Sequence, residues 1–169
     1  NKTMMRVELP TPLKPGSQFV FKIDWNYFIA DRMKYGGRGG YENFPEDGND
    51  IFTMTQWYPR LCVYSDYSGW QNHQFAGSGE FALTFGNFNV SMTVPSDHVV
   101  MSTGECQNYA SVLSASEASR WASAQTAKDV VEIVTLAEAK AKESKKATTK
   151  KTWIFKANMV RDFAWGASR

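Results

Sequence analysis

Alternation of apolar and polar residues constrains the fold of this chain more than any other feature of its sequence. Between residues 17 and 28, every second position carries a large apolar side chain: Phe19, Phe21, Ile23, Trp25 and Tyr27. Successive side chains of a β-strand point to opposite faces of the sheet, so this period of two predicts a strand with one face in a core. Trp25 is predicted to be a core residue.

Further apolar segments predict more strands along the chain. They cover residues 5–9, 51–58, 79–85, 88–94, 98–102, 153–157 and 163–165. Gly86 and Asn87 separate two of these segments, and both residues tolerate positive φ, which predicts a tight hairpin between them. Consecutive strands would then pair antiparallel, so the sequence predicts a mainly β fold.

Residues 31–50 hold five of the twelve glycines, and this composition predicts a long loop without a regular element. Long loops in compact domains are often functional. Residues 35–41, which include Arg38 and Tyr41, are therefore a candidate contact surface. A cluster of purely structural turns is the alternative.

Composition changes near residue 113, where a helical, Lys/Ala-rich insertion is predicted to extend to residue 151. Ser114 and Glu117 have the spacing of a capping box, and the alanine-rich residues that follow favour one short helix. Residues 137–151 are mostly Ala, Lys and Glu, which is typical of a solvated helix or a flexible loop.

The length and net charge of the chain limit the classes of protein to which it can belong. The 169 residues fit one domain or most of one, and the 14% aromatic share excludes a disordered chain. A formal net charge of +2 gives no field that would attract nucleic acid. A transmembrane helix needs about 18 consecutive apolar residues, and the sequence has no such run. The chain does not begin with Met, which predicts a missing start and leaves its localisation unknown.

Residue types that carry catalysis are sparse in this sequence. His73 and His98 are the only histidines, and neither begins the His-Glu-x-x-His pattern that places two zinc ligands on one helical face. We therefore predict no catalytic residue and no metal site within the chain. Cys62 and Cys106 have no neighbouring cysteine at metal-ligand spacing, so they are two buried thiols or a disulfide.

Aromatic residues in loop-like sequence offer a different class of site. Trp70 lies in the segment YSGWQN at residues 67–72, whose composition is that of a loop, and it is the best candidate for an exposed ring. Exposed flat rings supply contact area at a small entropic cost. An alternative function is therefore a β-sandwich module that binds glycan or protein through exposed aromatics and the glycine-rich loop.

Two segments resemble one known family. IFTMTQWYPRLCVY at residues 51–64 and TWIFKANMVRDFAWGASR at residues 152–169 are similar to the N-terminal domain of zinc aminopeptidases of the aminopeptidase N and leukotriene hydrolase type, especially larger bacterial members. The triplet Gly79-Glu80-Phe81 matches the same family. The resemblance implies an antiparallel, saddle-like β-sandwich that is truncated before a catalytic domain.

The same resemblance implies a role for one residue. In that family a strand glutamine reaches the active-site cleft, and Gln56 is at the matching position, where it would hydrogen-bond the α-amine of a peptide substrate. A glutamine on the polar face of a strand is the alternative. Substrate preference does not carry over, because the sequence after Gln56 departs from the Pro-Cys-x-Asp-Glu-Pro loop of the better-known members.

The resemblance also implies partners that this fragment lacks. Zinc and the catalytic residues would belong to a C-terminal catalytic domain of the parent protein. The partners of this fragment would be that domain and the peptide substrate, without nucleic acid and without a membrane segment. For a bacterial parent, an exported or periplasmic location is favoured.

Overall fold

The structure is a computed structural model that describes residues 3–78 and 82–169. About 29% of the chain is in strands and 16% in helices, and all three sheets are antiparallel. The predicted mainly β fold with antiparallel sheets is therefore confirmed, and the described residues form several short helices where one inserted helix was predicted. In the described residues, no helix is both long enough and apolar enough to span a bilayer.

The chain divides into two compact units. Unit 1 contains Asn1–Phe28 and Tyr58–Thr84, and unit 2 contains Ile29–Trp57 and Phe85–Arg169. The elements follow one another in the order α1 (Arg32–Tyr35), β1 (Gly40–Phe44), β2 (Asn49–Met54), β3 (Tyr64–Ser65), β4 (Gly69–Trp70), β5 (Gly86–Pro95), β6 (Val99–Ser102), β7 (Glu105–Cys106), α2 (Tyr109–Val112), α3 (Ala115–Ala124), α4 (Leu136–Glu143), β8 (Lys150–Val160) and β9 (Trp165–Ser168).

The first sheet of unit 2 joins strands that are far apart in the sequence. Its order is β1-β2-β9-β6, so β9, near the end of the chain, lies between β2 and β6. Phe52 of β2 is opposite Ala167 of β9, and Met54 is opposite Trp165. The two segments that resemble the aminopeptidase family, residues 51–64 and 152–169, thus meet in one antiparallel pair.

The second sheet of unit 2 has the order β5-β8-β7 and carries two of the largest fully buried side chains, Trp153 and Phe155. Trp153, Phe155 and Ala157 alternate along β8 and are all buried, which confirms the strand predicted there. Phe163, just before β9, is also fully buried, and its ring centroid lies 5.8 Å from that of Phe88 on β5. Full burial of a phenylalanine side chain contributes about 1.5 to 3 kcal/mol, so Phe155 and Phe163 contribute strongly to the stability of unit 2.

The helical segment lies between β7 and β8 of the second sheet. The Ser114 hydroxyl accepts a hydrogen bond from Glu117 N, and the Glu117 carboxylate accepts one from Ser114 N, so the predicted capping box is formed and α3 begins there. Residues 137–151 become most of α4, a short linker and the start of β8. None of the α4 residues is fully buried, as the composition of a solvated helix requires.

The predicted strands at residues 5–9 and 17–28 are wrong, because the structure forms no strand in either segment. Trp25 is 46% exposed and Phe28 is fully exposed, so Trp25 is not a core residue. Alternation selects the two faces of a strand, but a strand also needs a hydrogen-bonded neighbour and a cover for its apolar face. Within the described residues, neither segment has such a neighbour.

The predicted loop at residues 31–50 is also wrong, since it contains α1, β1 and the turn of the β1–β2 hairpin. The Asp31 carboxylate accepts hydrogen bonds from Met33 N and Lys34 N and so begins α1. Gly40 has φ +149°, and a Cβ atom there would lie 2.5 Å from Ala30 O. The glycines in this segment permit tight turns and close backbone contacts between regular elements.

The hairpin predicted around Gly86 and Asn87 does not form. Gly86 begins β5, and β5 pairs with β8, whose residues follow more than fifty positions later. Residues 82–85 form no strand, and the matching triplet Gly79-Glu80-Phe81 lies outside the described residues.

Candidate functional site

Gln56 lies immediately beyond β2 in a strained backbone conformation. The predicted strand at residues 51–58 ends at Met54, and Gln56 has φ 53°, in the left-handed region. Its side chain is exposed. A residue other than glycine pays about 1 to 2 kcal/mol for this conformation. Gln56 therefore lies just beyond the strand on which both the family resemblance and its alternative place it.

Packing on both sides of Gln56 fixes this conformation. Met54 is only 3% exposed. Trp57 Nε1 donates a hydrogen bond of 2.9 Å to Phe163 O, and its ring meets Trp165 edge to face at 6.5 Å. With Met54 in the core and the Trp57 indole held by Phe163 O, the backbone between them turns sharply and Gln56 remains exposed. The strain is therefore offset by apolar burial on either side.

Thr55, next to Gln56, has a hydroxyl oxygen that is buried and has no hydrogen-bond partner in the described part of the chain. A buried hydroxyl without a partner costs about 1 to 3 kcal/mol, which a bound water or ligand group can offset by hydrogen bonding to it. A strained residue and an unsatisfied hydroxyl thus lie side by side.

Arg38 lies at the same end of the β1–β2 hairpin as Gln56. Gly40, the first residue of β1, is opposite Thr53, so Arg38 precedes β1 at the point where Gln56 follows β2. A Cβ atom at Gly39 would lie 3.2 Å from Thr55 N, which shows how closely the two backbones approach. We call Arg38, Thr55 and Gln56 the hairpin-end site.

Tyr41 and Trp70 are placed differently from each other. Tyr41, on β1, is half-buried, and its ring centroid lies 6.4 Å from that of Phe52. It is therefore a packing residue and not an exposed contact. Trp70 lies on β4 in unit 1, is 54% exposed, and meets the ring of Tyr64 edge to face at 5.3 Å. Tyr67, in the turn of the same hairpin, is 85% exposed.

His98 forms a polar pair with its neighbour Asp97 in unit 2. His98 Nδ1 lies 2.7 Å from Asp97 Oδ1, and Asp97 Oδ2 accepts a hydrogen bond of 2.8 Å from Ala147 N. Burial raises the pKa of Asp97, but the hydrogen bonds from Ala147 and His98 outweigh burial and leave the pKa below its usual value. Through these hydrogen bonds, the pair connects the turn before β6 to the linker after α4.

His73 and the cysteines show no sign of a catalytic arrangement. His73 is exposed in unit 1. Cys62 and Cys106 are free thiols, each half-buried, and burial raises the pKa of the Cys106 thiol, which keeps it protonated. Among the described residues, no three His, Cys, Asp or Glu side chains are grouped so that they could hold a metal ion.

A cavity of about 430 Å³ lies in unit 2 between the two sheets. Its lining includes Phe52 and Trp165 of the first sheet, Val94 of the second, the Asp97–His98 pair and Arg169. No sequence pattern indicates this cavity, because its lining residues come from segments that have no local motif in common.

No family model, no curated protein and no solved structure matches the chain. The family resemblance of residues 51–64 and 152–169 therefore remains a prediction from the sequence.

Proposed function

We propose that this chain is the non-catalytic N-terminal domain of a zinc aminopeptidase-like protein and forms one wall of its peptide-binding cleft. The resemblance of two segments to that family supports this function, and residues 52–54 of one segment pair with residues 165–167 of the other in the structure. The mainly β, antiparallel fold is compatible with it.

Gln56 is the observation that carries the proposal. Its side chain is exposed, its backbone is left-handed, and the hydroxyl beside it is unsatisfied. Conformations of this kind cost about 1 to 3 kcal/mol and cluster at binding sites, where the geometry serves a ligand. The residue that the family resemblance selects is thus also an outlier in backbone geometry.

The chemistry proposed for Gln56 is recognition of an amine. Its amide oxygen accepts a hydrogen bond from the α-ammonium group of a peptide and so fixes the position of the first residue. A hydrogen bond to a charged group contributes about 1.5 to 3 kcal/mol. Zinc would supply the activated water in the parent enzyme. Since the described residues hold no cluster of metal ligands, the ligands would come from the catalytic domain.

The test uses the intact protein that contains this chain. We expect Gln56→Ala to lower kcat/KM for an aminoacyl reporter by about 10-fold or more, because one charge-assisted contact is lost. Gln18→Ala, at an exposed position in unit 1, is the matched control. A reporter with an acetylated α-amine should be used equally poorly by Gln56→Ala and by the unchanged protein.

Two results would contradict the proposal. An unchanged kcat/KM in Gln56→Ala would show that Gln56 does not contribute to recognition of the substrate amine. Zinc-dependent turnover by the pure 169-residue chain would show that it is not the non-catalytic part of the enzyme.

A second candidate function is supported by the aromatic hairpin of unit 1. Trp70, Tyr64 and Tyr67 are all exposed on β3, β4 and the turn between them. A flat, exposed ring next to a second one is a surface on which a sugar can stack. We expect a glycan-binding protein to lose its array signal in Trp70→Ala and to keep it in Trp25→Ala. Equal signals from both variants would reject the role of Trp70.

A further inference from the structure

The cavity between the two sheets of unit 2 has the size and lining of a small-molecule site. Its volume of about 430 Å³ is within the range of about 300 to 1,000 Å³ that is typical of ligand pockets. Ile29, Phe52, Val94 and Trp165 give it apolar walls. An apolar body of one ring or one branched chain would displace water from these walls.

Arg169 provides a fixed cation at the edge of the cavity. Its Nε donates to Asn49 Oδ1 at 3.3 Å, its Nη1 donates to Glu143 O at 3.0 Å, and its Nη2 donates to Gly48 O. Asn49 is only 7% exposed, and its Nδ2 donates to Ser168 Oγ and Arg169 O, each at 3.1 Å. The guanidinium group is thus held in one position by three acceptors from two segments, residues 48–49 and residue 143.

All three acceptors are neutral, so none of them is a counter-charge for the guanidinium group. In the part of the chain that the structure describes, neither Arg169 nor Lys146, which also lines the cavity, is in an ion pair. A guanidinium group has five N–H donors, and these three bonds leave two of them for a ligand. A carboxylate is the group that matches a guanidinium in both charge and geometry.

We propose that this cavity binds a small monocarboxylate with an apolar body, whose carboxylate pairs with Arg169 while the body contacts Phe52, Val94 and Trp165. The site is separate from the hairpin-end site and does not depend on the function proposed for Gln56.

The acidic side chains of the lining favour a single negative charge over two. Asp50 accepts a hydrogen bond of 2.7 Å from Asn43 Nδ2, and Asp97 is engaged by His98 and Ala147 N, so both carboxylates already have donors. Both belong to the cavity lining. They repel a phosphate dianion more strongly than a monocarboxylate, because Coulomb repulsion grows with the charge of the ligand.

Isothermal titration of the full 169-residue chain tests this proposal with phenylacetate, phenylethanol and inorganic phosphate. We expect phenylacetate to bind about 10-fold or more tightly than phenylethanol, because only the carboxylate pairs with Arg169. Inorganic phosphate should bind more weakly than phenylacetate. Arg169→Gln should remove the preference for phenylacetate, and Arg161→Gln, whose parent side chain lies over the Phe85 ring, should keep it.

A second variant separates ligand binding from folding. Ile29→Trp fills the apolar side of the cavity without changing Arg169, so it should abolish phenylacetate binding while the thermal unfolding midpoint is retained. Equal affinity for phenylacetate and phenylethanol would overturn the proposal. It would also be overturned by absence of phenylacetate binding to the unchanged chain, or by unaltered binding in Ile29→Trp.

Discussion

Lys142 of α4 donates a hydrogen bond to the carboxylate of Glu117 on α3, and this carboxylate is almost completely buried. A second ion pair connects the same helices with the charges exchanged, because Arg120 of α3 donates a hydrogen bond to Glu138 of α4. Glu117 and Glu138 are also the capping-box residues of their own helices. Each glutamate therefore fixes the beginning of one helix and joins it to the other.

Lys142→Met should destabilise the helical segment more than an exposed lysine change on the same helix. The Glu117 side chain is 3% exposed, so loss of Lys142 leaves a buried charge with backbone and hydroxyl partners only. We expect a loss of about 2 to 4 kcal/mol in the free energy of unfolding. Urea unfolding at neutral pH, monitored by far-UV circular dichroism, measures this loss in the free energy of unfolding.

Lys140→Met is the matched control, because Lys140 is exposed on α4. It should change the free energy of unfolding by no more than about 0.5 kcal/mol. In the double variant Glu117→Gln/Lys142→Met, part of the loss should be recovered, since the buried charge is removed with its partner. Equal effects of Lys142→Met and Lys140→Met would contradict the importance of the pair.

Lowering the pH should decrease the stability of the folded chain, because Glu138 becomes protonated. Its hydrogen bond from Arg120, followed by that from Thr135 N, lowers the pKa from 4.5 to about 2. The folded state thus holds the proton less tightly than the unfolded state, so the contribution to stability is complete above 4.5 and is lost as the pH falls towards 2. Thermal midpoints measured across this interval should fall less steeply in Glu138→Gln than in Glu105→Gln.

Gly104→Ala should be among the most damaging single substitutions in unit 2. Gly104 has φ +85°, and a Cβ atom there would lie 2.2 Å from Lys156 O, on the strand that β7 must join. We expect a loss of about 2 kcal/mol or more, or failure to fold. Gly37→Ala is the control: its φ is +104° but the space around it is open, so only backbone strain of about 1 kcal/mol is expected. Similar thermal midpoints for the two variants would contradict the close contact at Gly104.

Local patterns predicted the elements that are specified by neighbouring residues. The α3 helix begins where Ser114 and Glu117 form a capping box, and β8 buries alternate residues as its sequence requires. Both predictions rest on interactions within a few positions, where the sequence fixes the geometry. The same alternation at residues 17–28 gave no strand, because it does not determine whether a pairing partner exists.

The features that could not be predicted from the sequence depend on pairing between residues that are far apart in the chain. The pairing of β2 with β9 joins Phe52 to Ala167, and no local feature selects that partner. Arg169 meets Asn49 across 120 positions, so neither residue gave a signal for the cavity. Gln56 was selected only through a family resemblance, since a glutamine is not a typical residue for positive φ and gives no local indication of the turn.

Gln56→Gly should separate the conformation of Gln56 from its proposed role in binding. Glycine adopts φ near 53° without the steric cost of a side chain, although it loses more backbone entropy on folding. We therefore expect the free energy of unfolding to stay unchanged or to rise by up to about 1 kcal/mol. Gln125→Gly is the matched control: Gln125 caps the end of α3 with φ −64°, so glycine relieves no strain there and brings only its own entropic cost.

In the intact protein, Gln56→Gly should use a peptide substrate less well, although its free energy of unfolding is retained or increased. Gln56→Gly should lower kcat/KM for an aminoacyl reporter as much as Gln56→Ala does, because both remove the amide oxygen. A variant that is at least as stable but recognises its substrate poorly would show that the strain at Gln56 serves binding. If Gln56→Gly lowered the free energy of unfolding more than Gln125→Gly, the left-handed conformation of Gln56 would be contradicted.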